Sequence, residues 1–171
     1  MKKIFKPLAF ATLAACSSFA CADLYVGASV GVTEIDLHGY DETTSYSITG
    51  GLDISQYFAV ELSYIDLGDF DDDIAPVWTV SADGYNAAVV GRLPVTDQIS
   101  LFAKFGAFAW EADLKEEGFG HLDDDEGVDY SAALGMNVAL SPNLELNAQY
   151  MRIDMDITEV DNVSAGITFR F

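Results

Sequence analysis

Residues 130–150 read YSAALGMNVALSPNLELNAQY, and their alternation decides the fold. Tyr130, Leu134, Met136, Val138 and Leu140 share one face against Ser131 and Asn137. After the turn Ser141-Pro142-Asn143 the division resumes, with Leu144, Leu146, Ala148 and Tyr150 against Glu145, Asn147 and Gln149. A period of two is the side-chain repeat of a strand, and a short polar turn between two such runs makes an antiparallel hairpin. One face carries no charge and the other is polar, so this hairpin separates an apolar medium from a polar one.

The pattern extends in both directions. Downstream, Val163, Ala165, Ile167, Phe169 and Phe171 oppose Ser164, Thr168 and Arg170. Upstream, Leu24, Val26, Ala28, Val30 and Val32 oppose Tyr25, Gly27, Ser29 and Gly31; Tyr46, Ile48, Leu52 and Ile54 oppose Ser47, Thr49 and Asp53. Phe58, Val60, Leu62 and Tyr64 oppose Glu61 and Ser63; Tyr85, Ala87, Val89 and Leu93 oppose Asn86 and Arg92; Leu101, Ala103, Phe105 and Ala107 oppose Lys104. These are about eight segments of roughly ten residues, the length of a tilted membrane-spanning strand. Past the N-terminal segment no apolar run approaches the roughly 20 residues that a membrane helix requires.

Short turns at Ser55-Gln56-Tyr57, Pro94 to Gln98 and Ser141-Pro142-Asn143 alternate with long acidic connections at about 33–44, 68–77, 115–127 and 154–161. An even strand count with short turns at one end and long connections at the other is the outer-membrane arrangement, the long connections facing outward. Closure into a barrel removes the sheet edges that lipid could not satisfy. The fold class is therefore all-β: an eight-stranded, up-and-down, antiparallel transmembrane β-barrel. Tyr46, Phe58, Tyr64, Tyr85, Tyr130, Tyr150, Phe169 and Phe171 all fall on its expected outer face, several near segment ends where an aromatic girdle lies.

Residues 1–22 read as an export signal, with Met1 to Lys6 as a basic region and Pro7 to Ala15 as an apolar stretch too short to anchor in a bilayer. Two processing sites remain open. Cleavage after Ala20-Cys21-Ala22 starts the mature domain, 23–171, at Asp23; Leu13-Ala14-Ala15-Cys16 instead resembles a lipobox and leaves Cys16 lipidated. Either way no cysteine lies beyond position 21, so the barrel uses neither disulfide nor thiolate chemistry. Beyond the signal, Arg92, Lys104, Lys115, Arg152 and Arg170 stand against all 28 acidic residues, a net charge of −23. No basic face remains to neutralise phosphates, so nucleic acid is excluded as a partner.

These residues resemble the transmembrane domain of the outer membrane protein A family and related small surface barrels. The resemblance covers the mature chain and rests on DLYVGASVG, FAVELSYIDLG, LPVTDQISLFAKFGAFAW, ALGMNVALSPNLELNAQYMRID and the terminal SAGITFRF. It implies an integral, exported protein of the cell outer membrane, in contact with outer-membrane lipid and lipopolysaccharide. It also implies that Phe171, with Phe169 and Ile167 before it, forms the C-terminal signal read by the barrel-assembly machinery. The family's best-studied member continues into a peptidoglycan-binding domain; this sequence stops at Phe171, and peptidoglycan binding is not expected. The family's interior is a network of paired charges. Here the inward acid is Glu61, while the positions matching its charged partners are Val90, Asn137 and Asn147, so Glu61 would pair with Arg92 or Lys104. Gln149 completes the polar lumen set.

The remaining chemistry is sparse, and no cofactor is implied. Gly27-Ala28-Ser29-Val30-Gly31 matches a hydrolase elbow, but that motif needs a strand-turn-helix context, and Ser29 sits mid-strand. His38 and His121 fall in expected outer loops with no serine placed beside either, so no catalytic residue is assigned and no enzymatic role is expected. Asp71, Asp72 and Asp73 with Asp69, and Asp123, Asp124 and Asp125 with Glu126, are hard oxygen donors suited to divalent cations. Neither run has EF-hand spacing, and a solvated face is the plainer reading. Arg152, on the outer face near the outer rim, has two open roles: snorkelling to the interface or meeting a lipid phosphate.

Eight strands leave an interior just wide enough for side chains, and inward Glu61, Arg92, Lys104, Phe102, Phe108 and Trp110 crowd it further. The leading expectation is a non-enzymatic barrel with an envelope-structural and surface-interaction role, displaying acidic loops. The alternative is a narrow porin-like channel, and a lipid-modifying enzyme comes third.

Overall fold

The computed structural model describes residues 23–35, 43–71, 78–116, 120–155 and 158–171; within them the backbone alone is described at 35, 69–71, 78–82, 111–116, 120–126, 155 and 158. Eight strands follow in chain order: β1 (Asp23–Ile35), β2 (Thr43–Ser55), β3 (Phe58–Asp71), β4 (Trp78–Pro94), β5 (Ile99–Glu116), β6 (Gly120–Ser141), β7 (Leu144–Met155) and β8 (Thr158–Arg170). Each pairs antiparallel with its sequence neighbour, and β8 pairs with β1, closing the barrel.

Hydroxyl and amide side chains build the short turns. Ser55 Oγ accepts from the backbone N–H groups of Tyr57 and Phe58, Thr96 Oγ1 from those of Gln98 and Ile99, and Ser141 Oγ from that of Leu144 at 3.1 Å. Each satisfies donors that the tight reversal removes from the ladder. Asn143 adds an Nδ2 donor to the carbonyl of Arg170, tying the third turn to the chain end.

The alternation resolves as the sequence division implies. The outward aromatics include Tyr46, Phe58, Tyr85, Tyr130, Tyr150, Phe169 and Phe171, all exposed; Tyr64 is half-buried because its ring lies 5.4 Å from that of Tyr85. In water so many exposed apolar residues would be unstable; against lipid they are the solvent-matched face.

The strands run longer than the sequence division suggests. The expected connection 115–127 is mostly a two-stranded ribbon, with Asp113 opposite Asp124 and Lys115 opposite His121. The expected connection 154–161 likewise narrows, because β7 continues to Met155 and β8 starts at Thr158. Asp123, Asp124, Asp125 and His121 therefore stand on β6 rather than in a loop. The backbone ladder of β5 and β6 continues through these acidic positions. Asp71 ends β3; Asp72, Asp73 and His38 lie outside the described residues.

Candidate functional site: the barrel lumen

Inward residues form three tiers. Nearest the short turns is an ionic tier. Asp53 of β2 accepts from both Arg92 of β4 and Arg170 of β8. Arg170 also grips Glu145, with Nε to Oε1 at 2.8 Å and Nη2 to Oε2 at 3.2 Å. Lys104 Nζ lies 2.6 Å from Glu61 Oε2, so of the two partners open to Glu61 the structure brings Lys104 to it and gives Arg92 to Asp53. Three carboxylates thus meet three cations, which offsets the cost of taking six charges out of bulk water.

Tyr25 joins the two halves of this tier. Its hydroxyl donates to Glu61 Oε1 at 2.7 Å, and the Arg92 and Arg170 guanidiniums lie 5.0 and 4.9 Å from its ring centroid. Gly51, its cross-strand partner, makes room: a Cβ there would fall 2.1 Å from the ring. Lys104 lies likewise 4.9 Å from the centroid of Phe102.

The middle tier is neutral. Ser29 and Ser47 share a hydrogen bond, as do Thr49 and Ser63 at 2.8 Å, and Asn147 Nδ2 donates to Thr168 Oγ1 at 3.1 Å. Asn137 and Gln149 line the same cavity, about 40 Å³, which reaches down to Glu61 and Arg92. Ser29 has a serine partner where a hydrolase would need a base.

Toward the long connections the lumen turns apolar. Phe108 and Ile153 are wholly buried, with Leu67, Val160, Met151 and Ile65 packed beside them. Trp110 borders this tier and donates Nε1–H to Asp129 Oδ2 at 2.6 Å.

Outside the lumen, Arg152 binds Asp161 through Nε and Nη2, each at 2.7 Å, and lies 3.1 Å from Glu159. A carboxylate therefore takes its fork, and the pair sits just past Tyr150 and Val163, the last outward apolar residues of β7 and β8. The register sets Asp66 opposite Asp83 and Glu111 opposite Glu126, a row of acidic positions across β3 to β6 above the apolar band. Among the described residues no group of acidic, histidine or cysteine side chains is arranged to hold a metal ion. At the C-terminus Ile167, Phe169 and Phe171 all face outward; the last two rings meet edge-on at 5.2 Å, and the Phe171 N–H bonds the Leu24 carbonyl.

Sequence reasoning placed Phe108 and Trp110 inside the lumen but missed Tyr25 as the hub, Asp53 as a double acceptor, and the rest of the apolar tier. The last left a signal: Ile65, Leu67, Met151 and Ile153 are apolar residues on a face that is otherwise polar.

A closed eight-stranded antiparallel barrel with an apolar exterior, a charge-paired interior and strands prolonged into an acidic ribbon at one end is an integral outer-membrane barrel. The profile of the outer membrane protein beta-barrel domain matches residues 7–171, and the chain belongs to that family. It is 27% identical over 136 residues to outer membrane protein A of Shigella flexneri and 26% identical over 131 residues to that of Escherichia coli O157:H7. In each case the match covers 71% of this chain and 38% of the relative, so the chain spans less than half the length of those proteins. Among solved structures it is similar to Neisserial surface protein A, with a TM-score of 0.74 and 16% identity over 88% of this chain and 99% of that one. It also resembles Ail of Yersinia pestis, solved in complex with the heparin analogue sucrose octasulfate, with a TM-score of 0.62 and 15% identity over 88% and 97%. At these identities the likeness is one of fold. The protein is an integral component of the outer membrane.

Proposed function

We propose that this protein is a non-enzymatic surface barrel that contributes to envelope structure and presents its acidic outer end for interaction. The observation that carries this reading is the contrast between the two regions. The lumen spends its charges on itself, whereas the β5–β6 ribbon extends past the apolar band with acidic register positions facing one another. Like charges set directly opposite are destabilising, and a ligand that neutralises them repays that cost. The partners that fit are lipopolysaccharide and outer-membrane lipid bridged by divalent cations, or a cationic protein surface. The barrel-assembly machinery, reading Phe171, Phe169 and Ile167, is the partner during biogenesis.

The Yersinia barrel takes a polysulfated ligand; the acidic outer end here argues against a polyanion and for cation-mediated contact. Catalysis finds no support, since Ser29 is engaged by Ser47. Replacing residues 113–124 with a short turn tests the reading. The barrel should still fold and run as a heat-modifiable species, while calcium-dependent association with lipopolysaccharide vesicles falls several-fold. Unchanged association at all calcium concentrations would refute it.

A further inference from the structure

We infer that the lumen is a blind vestibule, wetted from the short-turn end as far as the serine and amide tier and sealed above it by the apolar tier, which rather than the ion pairs is the barrier to solutes.

Two cavities lie below the seal. One of about 40 Å³ reaches from the ionic tier to Asn137 and Gln149, and one of about 10 Å³ lies among Ser29, Ser45, Ser47, Asn162 and Ser164, with Ile65 and Met151 of the apolar tier also in its wall. A water needs roughly 10–15 Å³ of such space and two to four polar partners, so the first holds about three waters and the second about one. Among the described residues, two buried side-chain polar atoms have no protein partner: Arg92 Nε and Ser164 Oγ. Each belongs to a residue lining one of these cavities, Arg92 the larger and Ser164 the smaller. A buried donor left unmet is costly, and water is the occupant whose size and bonding fit both places.

Along β8 the inward face passes from Ser164 through Asn162, bonded to Thr33 and Ser45, to the apolar Val160. Leu67, Phe108, Ile153 and Val160, from four different strands, are all at most 2% exposed and offer water no hydrogen bond. The polar groups bordering them are already satisfied: Asn162 Nδ2 donates to Thr33 and Ser45, Ser131 donates to Asn86, and Trp110 donates to Asp129. An apolar constriction of this kind stays dry and blocks ions by dewetting. Ion pairs hydrate and exchange partners, so the lower tier alone would leak.

Planar-bilayer recordings of the refolded protein test the assignment. The wild type should be silent, Glu61→Gln should stay silent, and Phe108→Ser combined with Ile153→Ser should give discrete conductance steps. A conducting wild type, opening by Glu61→Gln, or silence from the folded double variant would each overturn it. Should the double variant fail to fold, a second readout needs no change in the seal. In a Trp78→Phe background, Trp110 is the one tryptophan. Its emission should be blue-shifted and shielded from acrylamide added on either side; quenching at the rate of a solvent-exposed indole would overturn the proposal.

Discussion

Tyr25 on the first strand and Arg170 on the last are cross-strand partners, with the guanidinium lying 4.9 Å from the ring centroid. The charge network therefore crosses the seam where the two ends of the chain meet. Arg170 also holds Asp53 and Glu145, so one side chain links β8 to β1, β2 and β7. Arg170→Met should leave two carboxylates underpaired and destabilise the barrel by about 3 kcal/mol, the scale for removing one partner of a buried pair. Urea unfolding in lipid vesicles measures this. A loss no greater than for Arg152→Met, whose side chain is exposed, would show that the seam does not depend on Arg170.

Glu61 and Lys104, in contact at 2.6 Å, share no cation with Asp53 and meet the other half of the tier only through the Tyr25 hydroxyl. Glu61→Gln should cost roughly 2–3 kcal/mol, because the largely buried Lys104 ammonium is left without its counter-charge. Adding Lys104→Met should recover much of that loss, since the uncompensated charge goes with it. A double-mutant cycle reads the coupling directly. Additive losses would mean that the pair is hydrated well enough to carry no net interaction.

At Gly51 a methyl group would fall 2.1 Å from the ring of Tyr25, which two guanidiniums and a hydrogen bond to Glu61 hold in place. Gly51→Ala should destabilise by about 1–3 kcal/mol through overpacking. Tyr25→Ala in the same chain should relieve that clash while losing the ring's own contacts. If Gly51→Ala unfolds at the wild-type urea concentration, the ring is free to move and the hub assignment fails.

Period two made much of this architecture legible, because a strand between lipid and a filled lumen must segregate its residues face by face. It says which face a residue takes but not its height, which depends on strand register. Asp53, Arg92 and Arg170 meet although Asp53 lies 39 residues from one and 117 from the other, and the faces alone did not assemble that triad. The apolar tier was harder to read for a related reason. Ile65 and Leu67 on β3, and Met151 and Ile153 on β7, are inward and apolar beside outward Asp66 and Arg152. The division is inverted there, and the strand signal fades before the strand ends. The same inversion explains why the outer connections seemed longer than they are.

Arg152 and Asp161 follow the last outward apolar residues of β7 and β8, Tyr150 and Val163, and both side chains are partly exposed. The hydrogen bonds from Arg152 hold the Asp161 carboxyl below its ordinary range, against a smaller opposing effect of burial. A carboxyl whose value is lowered on folding stabilises the rim above the ordinary carboxylate range, and that contribution disappears as pH falls through the lowered value. The rim pair should therefore hold at neutral pH and through mild acid and release only in strong acid. The energy involved is small, since the pair is exposed and screened. Carbon-detected NMR of the Asp161 carboxyl in lipid nanodiscs should show a midpoint below that of a free aspartate, returning toward the ordinary value in Arg152→Gln. An unshifted midpoint in the wild type would mean that the fork is not closed in the membrane, leaving Arg152 available to a lipid phosphate.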